Sequence, residues 1–185
     1  MLSHLRNVCF LICIGLISCH SSNDTDSKYP MDSFFLQELK LIDSLPMAVF
    51  HIKTEKEISD TSIIEKKAFR EMVGGLFLNE MTDFSQRNNF TESILEDTQL
   101  NETTITYTNT GQETGLLKIE LHVRTGETGL RSVYMERNDL ASGVNRFRKM
   151  LWITGKSFSV NTAAYANQTE TESKTDRFVW EMPND

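Results

Sequence analysis

The residues that could act together on a substrate sit in the second half of the chain. Residues 116–124 and 130–137 alternate apolar and polar. Pairing positions that sum to 254 sets His122 opposite Ser132, with Glu120 and Tyr134 next along the same outward face. Serine, histidine and glutamate in one patch are the parts of a nucleophilic triad. A triad also needs an exposed elbow, an oxyanion hole and a cleft, and a strand face supplies none of them. Charged and hydroxyl side chains alternate on any solvated sheet face, so no catalytic residue is assigned and a non-enzymatic domain is expected. His51 lies on a separate strand, pointing with Val49 and Lys53, and neither it nor His122 has a second histidine at metal-ligand spacing. No metal and no cofactor are therefore expected. Gly126-Glu127-Thr128-Gly129 has the spacing of a nucleic-acid clamp, but it joins two strands and its Glu127 repels phosphate, so it reads as a hairpin turn.

The N-terminus carries the sharper chemistry. Arg6 precedes a ten-residue apolar run, Val8–Ile17, the layout of a secretory signal. Such a run reaches only about half the hydrocarbon core as a helix, so it is too short to span a membrane. The run closes on Leu16-Ile17-Ser18-Cys19, which resembles a bacterial lipobox. That resemblance implies cleavage before Cys19, a diacylglycerol on its thiol, and a new amine open to acylation. The small Ser18 lets the peptidase reach the bond. The alternative is an ordinary secretory signal in which Cys19 is incidental. The other two cysteines, Cys9 and Cys13, leave with the signal, so the mature domain has no thiol beyond Cys19 and no disulfide. Two or three acyl chains, at about 0.8 kcal/mol per buried methylene, hold a protein on a bilayer. His20, rather than an aspartate, follows the cysteine, which by the lipoprotein sorting rule points to the outer membrane and leaves its two faces open.

Composition agrees with an exported globular domain. The chain has 185 residues, 39% hydrophobic and 24% charged, with a formal charge of −7. Removing residues 1–18 takes away one cation, Arg6, and leaves 26 acidic against 18 basic residues, a charge of −8. This excess argues against nucleic acid as a partner and against a polybasic membrane patch. Residues 19–29 read as the acylated cysteine and a flexible tether, and residues 30–185 as a single domain.

The periodicity predicts a helix over 32–45, capped by Asp32 or Ser33 and bearing Phe35, Leu39 and Ile42 on one face. A strand follows at 47–53, with a weaker partner near 57–61. A capping box, Ser62 to Glu65, opens a second helix over 63–80, on which Ile64, Ala68, Met72 and Leu76 repeat every four beside Phe69, Val73 and Phe77. From residue 102 the period becomes two, with strands at 103–109, 116–124, 130–137, 146–154, 157–163 and 176–182. Register sum 226 places Ile105 by Leu121, and sum 311 closes a two-residue Gly155-Lys156 turn that places Ile153 by Phe158 and Leu151 by Val160. The expected fold is α+β, with N-terminal helices packed on a curved antiparallel meander of about six strands. Four Asn-x-Ser/Thr triplets, at Asn23, Asn89, Asn101 and Asn167, read as chance in a threonine-rich chain.

Strand 146–154 is apolar on both faces: Phe147, Leu151 and Ile153 on one, Met150 and Trp152 on the other. Trp152, with Trp180 and Phe178, is the candidate ligand face, an apolar groove for a lipid, peptide or glycan. The bland reading is that this end of the sheet is covered on both sides. With its lipobox, polar tether and the segments Leu45–Phe50 and Arg146–Ser159, the chain resembles small lipoproteins of unknown function from Bacteroidota envelopes. The resemblance implies location and no activity. The expected function is an envelope-anchored binding or scaffolding domain, partnered by the membrane through its anchor and by a lipid, peptide or envelope protein. The alternative is a carrier of a lipid or small ligand on an apolar sheet face.

Overall fold

The computed structural model describes residues 29–78, 84, 89–111, 113, 115–124 and 129–180. Helix α1 is Met31–Ser44, followed by strands β1 (Val49–Glu55) and β2 (Ile58–Ile64). Helix α2, Lys66–Val73, runs into a π-helical turn at Gly74–Leu78. Strands β3 (Phe90–Asp97), β4 (Glu102–Asn109), β5 (Gly115–Arg124), β6 (Leu130–Ala141), β7 (Val144–Ile153), β8 (Ser157–Ala166) and β9 (Thr169–Val179) follow. The nine strands among the described residues form one antiparallel sheet in the order β2-β1-β9-β8-β7-β6-β5-β4-β3.

This corrects the expected α+β fold with helices on about six strands: the molecule is mostly β, and α1 and α2 are short. Three strands make the difference. β1 and β2 join the meander by pairing with β9, so Phe50 lies opposite Val179 and Ile52 opposite Arg177. β3 extends the other side, pairing Ile94 with Ile105. It has no two-fold apolar rhythm because it is an edge strand, solvated on both faces.

Local turn chemistry fixes the hairpins. Lys56-Glu57, Ser142-Gly143 and Asn167-Gln168 each hold two consecutive residues at positive φ, the backbone that matches the twist of paired strands. Asn101 and Asn167 both sit at positive φ, a conformation asparagine tolerates, which accounts for them by turn geometry. β5 and β6 pair in the expected register, Ile119 with Met135 and Leu121 with Val133, and Ile105 lies opposite Leu121.

The β7–β8 register differs by one residue from the expectation. The loop is Thr154-Gly155-Lys156, with Gly155 at φ +69, and Trp152 faces Phe158 while Met150 faces Val160. A one-residue shift turns every side chain over. Trp152, Met150, Phe158 and Val160 therefore share the inner face, and Leu151 and Ile153 share the outer.

The helices cover that inner face. Phe35 of α1 meets Trp152 edge-on at 5.3 Å between ring centroids, and Phe69 of α2 lies 5.4 Å from Phe178 and 5.2 Å from Trp180. Glu38 is buried and ties α1 to the β7–β8 loop, accepting hydrogen bonds at Oε2 from Trp152 Nε1 and from the Gly155 backbone N–H, both at 3.1 Å. Lys66 at the start of α2 donates to the Asp43 carbonyl at 3.2 Å and to the Leu45 carbonyl, satisfying the open end of α1. α2 is shorter than expected. Residues 62–64 belong to β2, and Glu65 caps the helix without a side-chain hydrogen bond, so the capping box does not form. Among its described residues the Phe69, Val73 and Phe77 stripe is buried, whereas Met72, expected in the core, is 39% exposed.

Candidate binding cleft on the helix-bearing face

The inner face of the sheet changes character along its strands. Cross-strand pairing builds one row from Leu121 through Val133, Trp152, Phe158 and Phe178 to His51. The next row runs from Met135 through Met150 and Val160 to Asp176 and Lys53. One step further along, Arg137, Arg148, Thr162 and Lys174 line up, and beyond them lie Asp139, Arg146, Ala164 and Glu172. Two residues per step keep each row on the same face. The face is thus apolar beneath the helices and charged where the helices end.

A cleft of ≈ 430 Å³ opens at this boundary, a size typical of small-ligand sites. Met72 and Leu76 form its helical wall, Val160 and the buried Phe178 its apolar end, and Arg146, Arg148, Lys174, Thr162, Glu172 and Asp176 its polar floor.

Ion pairs hold the floor in shape. Asp139 accepts from Arg137 Nε at 2.6 Å and from Arg148. Burial pushes its carboxyl up, but the hydrogen bonds from Arg148 and Arg137 outweigh burial and keep it below the usual aspartate value. Glu172 accepts from Lys174 at 2.9 Å and from Arg146 at 3.3 Å. The Lys174 hydrogen bond, aided by the charges of Lys174 and Arg146, holds Glu172 below its usual value against the effect of burial. His51 Nε2 pairs with Asp176 at 2.8 Å while its ring stacks on Phe178 at 4.5 Å. Arg148 Nε is buried without a hydrogen-bond partner.

The outer face holds the Ser132, His122 and Glu120 patch. His122 does lie opposite Ser132, and Glu120 opposite Tyr134. The histidine, however, turns to β4: its Nδ1 is 2.8 Å from Glu102 and 3.4 Å from the Thr104 hydroxyl. Glu102 also accepts from Arg131 at 2.7 Å, and its carboxyl is lowered mainly by the His122 hydrogen bond, with Arg131 adding to it against burial. Glu120 pairs with Lys118 at 2.6 Å. Tyr134 donates to Glu136 at 2.6 Å, and burial followed by that acidic neighbour raises its hydroxyl well above the usual value. The patch is a set of structural ion pairs, not a converging triad. Among the described residues no three histidine, cysteine, aspartate or glutamate side chains converge as metal ligands, and no helix is long and apolar enough to cross a membrane.

Leu16, Ile17, Ser18 and Cys19, the expected lipidation segment, lie outside the described residues. Trp152, Trp180 and Phe178, expected as an apolar ligand face, are fully buried core residues beneath α1 and α2, because Trp152 stands opposite the inward Val133 of β6 and shares that face with Phe158 and Phe178. Only Phe178 reaches the cleft. Arg146, Arg148 and Lys174 were not singled out by their sequence. The available signal was parity: positions 146, 148, 150 and 152 share one face and pass from two arginines to methionine and tryptophan.

No protein-family model matches the chain, and no curated protein or solved structure matches it.

Proposed function

We propose that the chain is a lipid-anchored protein of the bacterial outer membrane whose folded domain binds a small amphiphilic ligand. The anchoring part rests on Leu16-Ile17-Ser18-Cys19 closing the apolar signal run. The binding part rests on one observation: a cleft walled by Met72, Leu76 and Val160 and floored by Arg146, Arg148 and Lys174. Apolar walls shelter a hydrocarbon, and fixed polar groups orient a head, the usual division of labour in ligand sites. This favours a carrier of small ligands over a pure scaffold, and moves the ligand from the Trp152 core to the rim where the helices end. An acylated Cys19 would hold the domain beside a bilayer, where amphiphiles are concentrated.

The test is native mass spectrometry of the detergent-solubilised protein from its own membrane. The expected result is a diacylglycerol-modified N-terminus at Cys19 together with a non-covalently held amphiphile of a few hundred daltons. The amphiphile should be depleted in a Leu76→Glu variant, which puts a carboxylate on the apolar wall. Equal retention by wild type and variant would refute the cleft as the site.

A further inference from the structure

The charged end of the cleft has a chemistry of its own. Three cations, Arg146, Arg148 and Lys174, converge on a floor whose carboxylates are Glu172 and Asp176. Asp176 is engaged with His51, and Asp139 is held between Arg137 and Arg148, so Glu172 is the carboxylate that competes with a ligand for Arg146 and Lys174. Its link to Arg146 is long for a charge-assisted bond, 3.3 Å, and Arg146 is about half exposed (47%). Arg148 spends a terminal nitrogen on Asp139 and keeps a buried Nε–H without a partner. The local surplus is positive in a chain of formal charge −7. A general acidic surface repels anions, so a cationic end to an apolar cleft is a selective feature.

We infer that Arg146, Arg148 and Lys174 form the head-group site of the cleft and receive a terminal oxyanion, a phosphate or a carboxylate, at the end of a single hydrocarbon chain. The inference rests on the amphiphile reading above and adds the sign and type of the head. Guanidinium forks bind two oxygens of such a group at once, and the Thr162 hydroxyl beside them offers a further donor. On binding, the oxyanion takes Arg146 from Glu172, and Glu172 keeps Lys174 as its counter-ion.

The test uses the mature lipoprotein in a non-ionic detergent, titrated by native mass spectrometry with dodecyl phosphate, dodecanoate, monododecanoylglycerol and inorganic phosphate. Dodecyl phosphate and dodecanoate should bind at least about tenfold more tightly than the uncharged glyceride. Arg146→Gln should weaken both anions by about five- to tenfold and leave the glyceride unchanged. Glu172→Gln removes the competing carboxylate and should tighten both anions, a gain that misfolding cannot imitate. Equal binding of the glyceride and the two anions would overturn the head-group site while leaving the amphiphile reading standing. Binding of inorganic phosphate as tightly as dodecyl phosphate would keep the oxyanion site but overturn the hydrocarbon chain. No binding of any probe would overturn both readings.

Discussion

Among the described residues Glu38 is the one acidic side chain drawn into the core, and removing it tests the packing of the whole inner face. It is 7% exposed, and one of its oxygens accepts two hydrogen bonds, from Trp152 Nε1 and from the Gly155 N–H, each 3.1 Å long. Glu38→Ala leaves both buried donors without a partner. Each orphaned donor costs about 1–3 kcal/mol, so the loss should total about 3–5 kcal/mol. That is a large part of the roughly 5–15 kcal/mol that holds a domain folded, and it should lower the melting temperature by roughly 10 °C. Glu38→Gln keeps an acceptor oxygen and should cost about 1 kcal/mol. Urea denaturation followed by tryptophan fluorescence reads both variants. A double-mutant cycle with Trp152→Phe isolates the bond to the indole, with an expected coupling of about 1–2 kcal/mol. A Glu38→Ala cost below about 0.5 kcal/mol, or zero coupling to Trp152, would refute the reasoning: Glu38 would then lie in solvent and α1 would not be pinned to the β7–β8 loop.

Three further outcomes are expected. Cys19→Ala should leave the protein unacylated and move it out of the membrane fraction; a wild-type protein that is soluble and unmodified would contradict the anchor. Asp139, Glu102 and Glu172 are all held below their ordinary values, so their contribution is complete above the unfolded carboxyl range and drains away as pH falls through the folded values; urea midpoints should be level at neutral pH and fall steeply below about pH 4, and an unchanged midpoint at about pH 3 would refute these pairs as stabilising. Met72→Asp should change stability by less than about 1 kcal/mol, since Met72 is 39% exposed, yet weaken an anionic amphiphile by adding a like charge to the cleft wall; a collapse of stability would return Met72 to the core.

Much of this molecule was legible wherever partners are neighbours in the chain. The spacing of Phe35, Leu39 and Ile42 marked α1, and all three are buried. The β5–β6 hairpin could be registered on paper because a slip would have set Leu121 against Ser132 and broken the Lys118–Glu136 pairing; the structure has Leu121 with Val133 and Lys118 with Glu136. The Cys19 segment is likewise a purely local reading, and its test lies in solution chemistry.

Other features depend on contacts that local sequence does not record. β3 is invisible to periodicity because neither of its faces is buried, and only the ladder to β4 makes it a strand. The chain at 47–53 reads as a strand, but the place of β1 beside β9 joins residues more than a hundred positions apart, Phe50 with Val179. At Thr154-Gly155-Lys156 a two-residue and a three-residue turn are both compatible with the glycine. The difference of one residue decided which face of β8 joins Trp152 and Met150 in the core. Packing settled it: Trp152 meets Phe35 and Phe77, and its indole N–H finds Glu38. Once that register is set, Arg146 and Arg148 are carried inward on the same strand and meet Lys174 and Glu172 from β9. Local spacing thus determined the elements and their turns, whereas the candidate site exists only because three strands were aligned by the burial of one tryptophan.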